Sequence, residues 1–474
     1  MSKPSGLVLR AGDLARASEG RMVSGRSDVR VDGFSIDSRR VKRGDLFVAI
    51  RGARLDGHNF VSEAIQRGAA GVVVGDSTLA GFKIEVLDQP FVIAVENTTR
   101  ALQLMGREIR RRSGARVVAI TGSIGKTTTK ELIANVLASA YRVCCSEGNL
   151  NNHIGVPLSL LELRHEPEVA VVELGMNHAG EISTLVSLAE PEMRVWTNVA
   201  EVHSAFFGSI EAIADAKAEI LEGATEKSQL VANAGDPRVM ARAQDFPGSV
   251  VTFGVEMSAD VTATQVKSLG LDGMEAMLQT PVGLASVRTQ MLGHGHLANI
   301  VAAVAVALQF NVPLEVVVER VAEYVTQPRR GQVIRLGDVT VVDDTYNSSP
   351  TALETALEAV GRTRGCVRRV AVLGEMLELG ARSVALHEAC GRAAVAAGFD
   401  AVIAVGGSPA LALAEGARVA GLPEDVVMTF ATSGEAAEYV TNSVQVGDVV
   451  LVKGSRGIKM DQIVDRLKVE RMEN

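Results

Sequence analysis

The chain has 474 residues, 47% of them hydrophobic and 22% charged, with a net charge of −8. That length is too great for one core and calls for roughly two to four domains. The acidic balance excludes a general nucleic-acid binder, though not a local basic site for phosphate.

Aromatic residues are only 4% of the chain while glycine and alanine are plentiful, as suits close helix-on-sheet packing. No run of about 18 uncharged apolar residues points to a membrane span, and the N-terminus lacks the apolar core of a secretion signal. Cys144, Cys145, Cys366 and Cys390 show neither metal spacing nor a disulfide framework. A reducing, cytoplasmic location is expected, with Cys144 and Cys145 inside a strand. No nucleic-acid partner is expected, and the chain is expected to act as a monomer.

In chain order, the first region offers a strand over 45–50, a turn-rich stretch over 51–58, a helix over 60–68, and strands over 72–74 and 91–95. A helix over 98–112 leads into the second region. Its strands are short apolar runs at 117–120, 169–174, 194–199 and 229–233, with helical patterns between. Unbroken apolar strands alternating with helices imply a parallel, doubly wound sheet. The third region opens near Pro328 and repeats the pattern with strands over 339–342, 367–373, 401–405, 426–430 and 449–452. The expected fold is α/β in three domains: a small α/β domain over 1–97, a central doubly wound sheet over 98–327, and a Rossmann-like domain over 328–474.

The strand at 117–120 runs into Thr121-Gly122-Ser123-Ile124-Gly125-Lys126-Thr127-Thr128. A glycine turn that opens a helix on lysine gathers backbone N–H groups, a helix N-terminus and one ammonium around a small volume. Polyphosphate needs that environment. Gly122, Ser123, Ile124, Gly125, Lys126, Thr127 and Thr128 are the expected cradle for ATP or GTP, with Lys126 on the phosphates and the Thr127 hydroxyl on Mg2+. The full P-loop spacing asks for glycine where Ile120 stands, so this is a shorter form.

Further polar residues fall at carboxyl ends of strands, where such sheets bind ligands. Glu173 ends one apolar strand and fits either a metal ligand or a plain strand end. His203 follows another strand and carries little weight alone. Lys217 falls within the apolar stripe Ile210, Ile213, Ile220 and Leu221 of a helix expected over 209–222. Burial there favours the neutral amine, and a neutral amine adds CO2 to give an anionic carbamate that binds metal through oxygen. By itself the pattern favours a lysine whose stem lies on apolar surface while its head reaches water. Asn149, Asn151 and Asn152 form a polar loop, suited to ligand binding or to turn chemistry. Asp344 and Asn347 close the first strand of the third region. Lys453 and Arg456 close its last strand and suit a carboxylate.

Taken together, these motifs are similar to those of the Mur ligase family, the ATP-dependent amide ligases of bacterial cell-wall synthesis. The resemblance rests on the short phosphate loop, Gly148-Asn149-Leu150-Asn151-Asn152, Glu173-Leu174-Gly175-Met176-Asn177, Asp343-Asp344-Thr345-Tyr346-Asn347 and Leu373-Gly374-Glu375-Met376. They occur in the family's order across nearly the whole chain. Asp37-Ser38-Arg39 and Gly44-Asp45-Leu46-Phe47 resemble the family's uridine-nucleotide domain. An Asp-Asn-Pro-Arg signature of the diamino-acid-adding branch is absent, which favours the dipeptide-adding branch.

The resemblance implies ATP, a pair of Mg2+ ions, and UDP-muramoyl tripeptide and D-alanyl-D-alanine as substrates. It implies metal ligation by Thr127, Glu173, His203 and a carbamylated Lys217, with Lys126, Lys217, His203 and Arg330 in the chemistry. Asn299, Arg330, Asp344 and Asn347 would complete the nucleotide site. Ser38, Arg39, Asn149, Asn151, Asn152, Lys453 and Arg456 would meet the other substrates. Arg329 stands beside Arg330 and offers the same charge, and Ser348-Ser349 departs from the family's usual alanine and asparagine. Another Mur-type or a folate-polyglutamate-type ligase is the alternative.

Overall fold

The computed structural model describes residues 6–81, 90–201 and 207–472. The chain forms two compact units. One comprises Met1–Ile120, Ala140–Arg194 and Glu219–Ser228, and the other Thr121–Ser139, Val195–Ala218 and Gln229–Asn474. Among the described residues no helix is long and apolar enough to cross a membrane.

The first unit holds a five-stranded sheet in the order Arg21–Ser24, Phe91–Val95, Gly71–Gly75, Asp45–Val48, Gly33–Ser35. Its neighbours pair in parallel except at the Arg21–Ser24 edge. Phe47, Ala49, Val72 and Val74 pack one side against Val61 and Ala64 of the helix Val61–Gln66. The same unit holds the parallel strands Arg116–Thr121, Val169–Glu173 and Val143–Cys145. Cys144 sits in the last of these, where burial pushes its thiol up to about 11. The helix Thr98–Ser113 opens on an Asn97 cap and closes on Gly114 in the left-handed region.

In the second unit, Gln229–Asn233, Ser249–Val255 and Val261–Ser268 pair in parallel. Met274–Thr280 and Gly283–Thr289 continue antiparallel. Four of these five strands lie where the sequence reading has none, because their polar outer faces break the apolar runs it relied on. The helix expected over 209–222 also divides, into the α-helix Ile210–Ala218 and the 3-10 turn Glu219–Leu221. In the first unit, buried Arg194 donates to the carbonyls of Ile220, in that turn, at 2.8 Å and of Glu222, just after it, at 3.1 Å.

The last sheet runs Gln332–Leu336, Val339–Asp344, Asp448–Lys453, Arg368–Gly374, Ala401–Val405, Val427–Phe430. It is parallel apart from its first strand. Ala371 and Leu373 face Leu353, Leu357 and Leu413, while Val370 and Val372 face Val440, Ile463 and Leu467. Both faces are covered by helices, which is why these strands read as unbroken apolar runs.

Candidate active site

The strand Arg116–Thr121 passes through the glycine turn into the helix Lys126–Leu137. Two glycines make the turn possible. Gly122 has φ 151° and Gly125 has φ 84°. A Cβ on Gly122 would stand 1.9 Å from Thr197 Oγ1, and one on Gly125 would stand 2.4 Å from Asn299 Oδ1. Only glycine fits either position.

The Lys126 ammonium folds back on its own loop, donating to the carbonyls of Gly122 at 2.8 Å and Ser123 at 3.2 Å. Lys217 lies on the helix Ile210–Ala218 and is 2% exposed. Its Nζ donates to the same Gly122 carbonyl at 3.1 Å. The head of Lys217 therefore does not reach water; it ends at the phosphate loop. Thr127 and Thr128, in the first turn of the helix, are buried, as is Ser123.

The loop is held from behind by residues the sequence reading did not assign to it. Asn198 grips both sides of one residue, accepting from the Ile124 N–H at 2.9 Å and donating to the Ile124 carbonyl at 2.9 Å. Thr197 Oγ1 donates to the Ile124 carbonyl at 3.0 Å. Asn233 donates to the Thr197 carbonyl at 2.7 Å, and Asp236 accepts from the Val199 N–H at 2.6 Å. The advance signals are position alone: Thr197 and Asn198 fall in the strand expected over 194–199, and Asn233 with Asp236 at the carboxyl end of the one over 229–233. Asn299, on the helix Gly293–Gln309, accepts from Thr129 Oγ1 at 3.2 Å and so lies against the phosphate-loop helix.

In the first unit, Glu173 is 2% exposed and pairs in register with Ile120, which directly precedes the loop residues. Asn151 donates to Glu173 Oε1 at 2.7 Å. Asn152 accepts from the N–H groups of Ile154 and Gly155, at 3.2 and 2.8 Å, just before the helix Gly155–Leu161. Asn149 is exposed beside them. Ser38 donates to Glu63 at 2.8 Å, and Arg39 makes a two-point contact with Asp37 at 2.9 and 2.7 Å. His203 lies outside the described residues. Among the described residues no group of three or more His, Cys, Asp or Glu could hold a metal ion.

The third region gathers a second set. Buried Lys453 donates to Asp344 at 2.6 Å and to the Asn347 carbonyl at 2.9 Å, tying together residues expected to serve different ligands. Arg330 stacks on Tyr346, its Cζ 3.7 Å from the ring centroid, and Arg456 reaches the same ring at 5.8 Å. Arg329 turns away, in the left-handed region at φ 67°, and pairs with Asp461 at 3.0 Å. His296, one turn before Asn299, is held below the ordinary histidine value by the protein packed around it, with Asp344 opposing. Its Nδ1 lies 2.8 Å from the Leu292 carbonyl.

A phosphate loop on an α/β scaffold, with a buried lysine aimed at it, defines a class of nucleotide enzyme, and comparison with known proteins gives the class its name. Three family profiles match in succession. "Mur ligase family, catalytic domain" matches over residues 30–108, "Mur ligase middle domain" over 120–307, and "Mur ligase, glutamate ligase domain" over 329–456. The chain belongs to the Mur ligase family, the ATP-dependent amide-bond ligases.

Several relatives at 32–35% identity share one name. UDP-N-acetylmuramoyl-tripeptide–D-alanyl-D-alanine ligase of Escherichia coli (strain K12) is 35% identical over 447 residues, covering 93% of this chain and 95% of the relative. The crystal structure of MurF from Acinetobacter baumannii superposes with a TM-score of 0.86 at 29% identity, covering 98% of this chain and all of that one. MurF ligase from Thermotoga maritima in complex with ADP gives 0.81 at 29% identity, covering 94% and 98%. These neighbours have the three-domain Mur ligase fold.

Proposed function

We propose that this chain uses ATP to join the terminal carboxylate of a UDP-N-acetylmuramoyl tripeptide to the amine of D-alanyl-D-alanine, the reaction for which the Escherichia coli relative is named. The observation that carries the reading is the meeting of Lys126 and Lys217 on the Gly122 carbonyl at the mouth of a phosphate-loop helix. A carboxylate oxygen of the tripeptide attacks the γ-phosphorus, ADP leaves, and an acyl phosphate forms. The dipeptide amine then attacks the acyl carbon, loses a proton, and inorganic phosphate departs.

The loop N–H groups from Gly125 to Thr128 and the Lys126 ammonium bind the phosphates and meet the charge that develops on the moving phosphoryl group, while the N–H groups of Ser123 and Ile124 stay on Asn198. For this, Lys126 exchanges its own loop carbonyls for phosphate oxygens. Asn299, Arg330, Asp344 and Asn347 hold the nucleotide. Lys453 acts through Asp344, and Arg456 remains the cation for the dipeptide carboxylate. Ser38, Arg39 and the Asn149–Asn152 loop serve the UDP-muramoyl peptide, Asn151 by orienting Glu173. Domain boundaries near residues 97 and 327 belong to this reading. A monomeric, cytoplasmic enzyme belongs to the same reading.

The residues suit Mg2+. Thr127 supplies a hydroxyl and Glu173 a carboxylate, both nearly buried and both hard oxygen donors. Thr127, Glu173, His203 and a carbamylated Lys217 would hold the metal, which when bound neutralises phosphate charge. The burial of Lys217 favours the neutral amine. Such an amine adds CO2, forming an N–C bond and releasing a proton, and the carbamate nitrogen keeps one N–H for the Gly122 carbonyl.

The test is ADP release in the presence of ATP and UDP-muramoyl tripeptide, with and without D-alanyl-D-alanine. Turnover should depend on the dipeptide, and ADP release indifferent to it would reject the reading.

A further inference from the structure

The second unit contains a cavity of about 920 Å3 at the amino ends of its last sheet. Thr340 and Asp448 line it, near the starts of the strands Val339–Asp344 and Asp448–Lys453. The same two strands end at Asp344 and Lys453, on the nucleotide side. Four or five residues of extended chain separate the two ends, about 13–17 Å at the strand rise, so the cavity is not part of the site described above.

Its charge is unusual for a chain of net −8. Arg362, Arg364 and Arg369 line it, and among the described residues none of the three is ion-paired. Two lining carboxylates are already committed. Asp272 pairs with Arg335 at 2.6 Å, and Asp448 pairs with Arg368 at 2.7 Å. Asp338 alone remains to offset three guanidinium groups. The wall also holds polar atoms left without partners. Thr363 is 6% exposed and its Oγ1 makes no hydrogen bond, and neither does Arg369 Nε, although Arg369 Nη2 donates to the Thr363 carbonyl at 2.6 Å. Gly270, Gly365 and Gly447, with φ of 67°, 77° and 85°, leave stretches of wall free of side chains.

We infer that this cavity is a binding site for a small phosphate-bearing anion. The volume is that of a small-molecule site. Guanidinium forks match phosphate oxygens with two bonds each, and the concentration of positive charge in a recess of an acidic protein attracts anions. No carboxylate substrate of the ligase reaction is called for at this end of the strands, so the site is additional to the proposed reaction and does not depend on it.

The experiment is isothermal titration of the full chain with its phosphate loop filled by saturating MgADP. The probes are inorganic pyrophosphate and ribose 5-phosphate, which separate a free phosphate from one on an organic carrier. At least one should bind saturably. In the double variant R362E and R364E that affinity should fall by about tenfold or more, the loss expected for charge-assisted hydrogen bonds, while MgADP affinity stays unchanged. Arg364→Ala, a change at an exposed side chain that the fold tolerates, should weaken binding in the same direction. The proposal is overturned if neither probe binds saturably, or if Arg364→Ala and the double variant bind as tightly as the parent.

Discussion

Lys126 and Lys217 donate to one and the same carbonyl, that of Gly122, at 2.8 and 3.1 Å. Two amines thus converge on the edge of the phosphate loop, one from the loop's own helix and one from a helix far along the chain. The second is buried. Lys217→Ala should lower ligase turnover on the order of a hundredfold, the usual size for removing one group that meets transition-state charge. Added formate or acetate should restore part of it by supplying the missing oxygen donors. Full activity in the alanine variant would sink the carbamate role.

Asn198 holds the loop from behind by satisfying the N–H and the carbonyl of Ile124 together. Asn198→Ala leaves the Ile124 N–H unpaired and its carbonyl with Thr197 Oγ1 alone, a cost of about 1–3 kcal/mol. The KM for ATP should rise by roughly tenfold or more, with kcat changing less, because Asn198 shapes the cradle and is assigned no part in phosphoryl transfer. Steady-state kinetics against ATP concentration would decide it, and an unchanged KM would mean the loop holds its shape without the clamp.

Arg329 and Arg330 divide their work. Arg329 is committed to Asp461, whereas Arg330 lies over Tyr346 beside Asp344 and Lys453. Arg330→Ala should cut turnover by about tenfold to a hundredfold. Arg329→Gly relieves the left-handed backbone and loses only two partly exposed ion pairs, to Asp461 and Asp465, each worth less than about 1 kcal/mol, so turnover should stay near that of the parent. Kinetics and melting temperatures of the pair test the division, and an Arg329 variant with the larger kinetic defect would reverse it.

His387 is buried, its Nε2 accepting from the Met376 N–H at 2.8 Å and its Nδ1 2.7 Å from the Ser383 carbonyl. Burial lowers its pKa below the ordinary histidine value, although the Ser383 carbonyl and Glu375 oppose. The fold therefore favours the neutral ring. The stability this contributes is fully present above the unfolded value, near 6.5, and is lost as pH falls through the lower folded value. Thermal unfolding of the chain should be flat in this respect above about pH 7 and fall below it. His387→Gln should reduce that slope, and an undiminished slope would move its origin elsewhere.

Much of this was legible in the residues. The alternation of apolar runs gave five of the six strands of the last sheet to within a residue or two, since those strands are buried on both faces, and missed the edge strand Gln332–Leu336. The pair Met274–Thr280 and Gly283–Thr289 was not legible, because an antiparallel pair with a polar face leaves only scattered apolar positions. From the helix pattern Lys217 was legible as a lysine within an apolar stripe, and only the family resemblance gave it a role. Lys453 and Asp344 each looked available to a ligand, and their pairing joins residues 109 positions apart.

By itself the sequence determined the phosphate loop, because a strand, two glycines in left-handed or extended turns and a helix opening on lysine are local conformations set by neighbouring residues. Only the tertiary structure decided what surrounds it. The contact between Lys217 and Gly122 spans 95 residues, and the Asn198 clamp on Ile124 spans 74. Contacts at such separations depend on which strands lie side by side and which helices cover them. The loop's own residues do not encode that arrangement; the packing of the whole chain does.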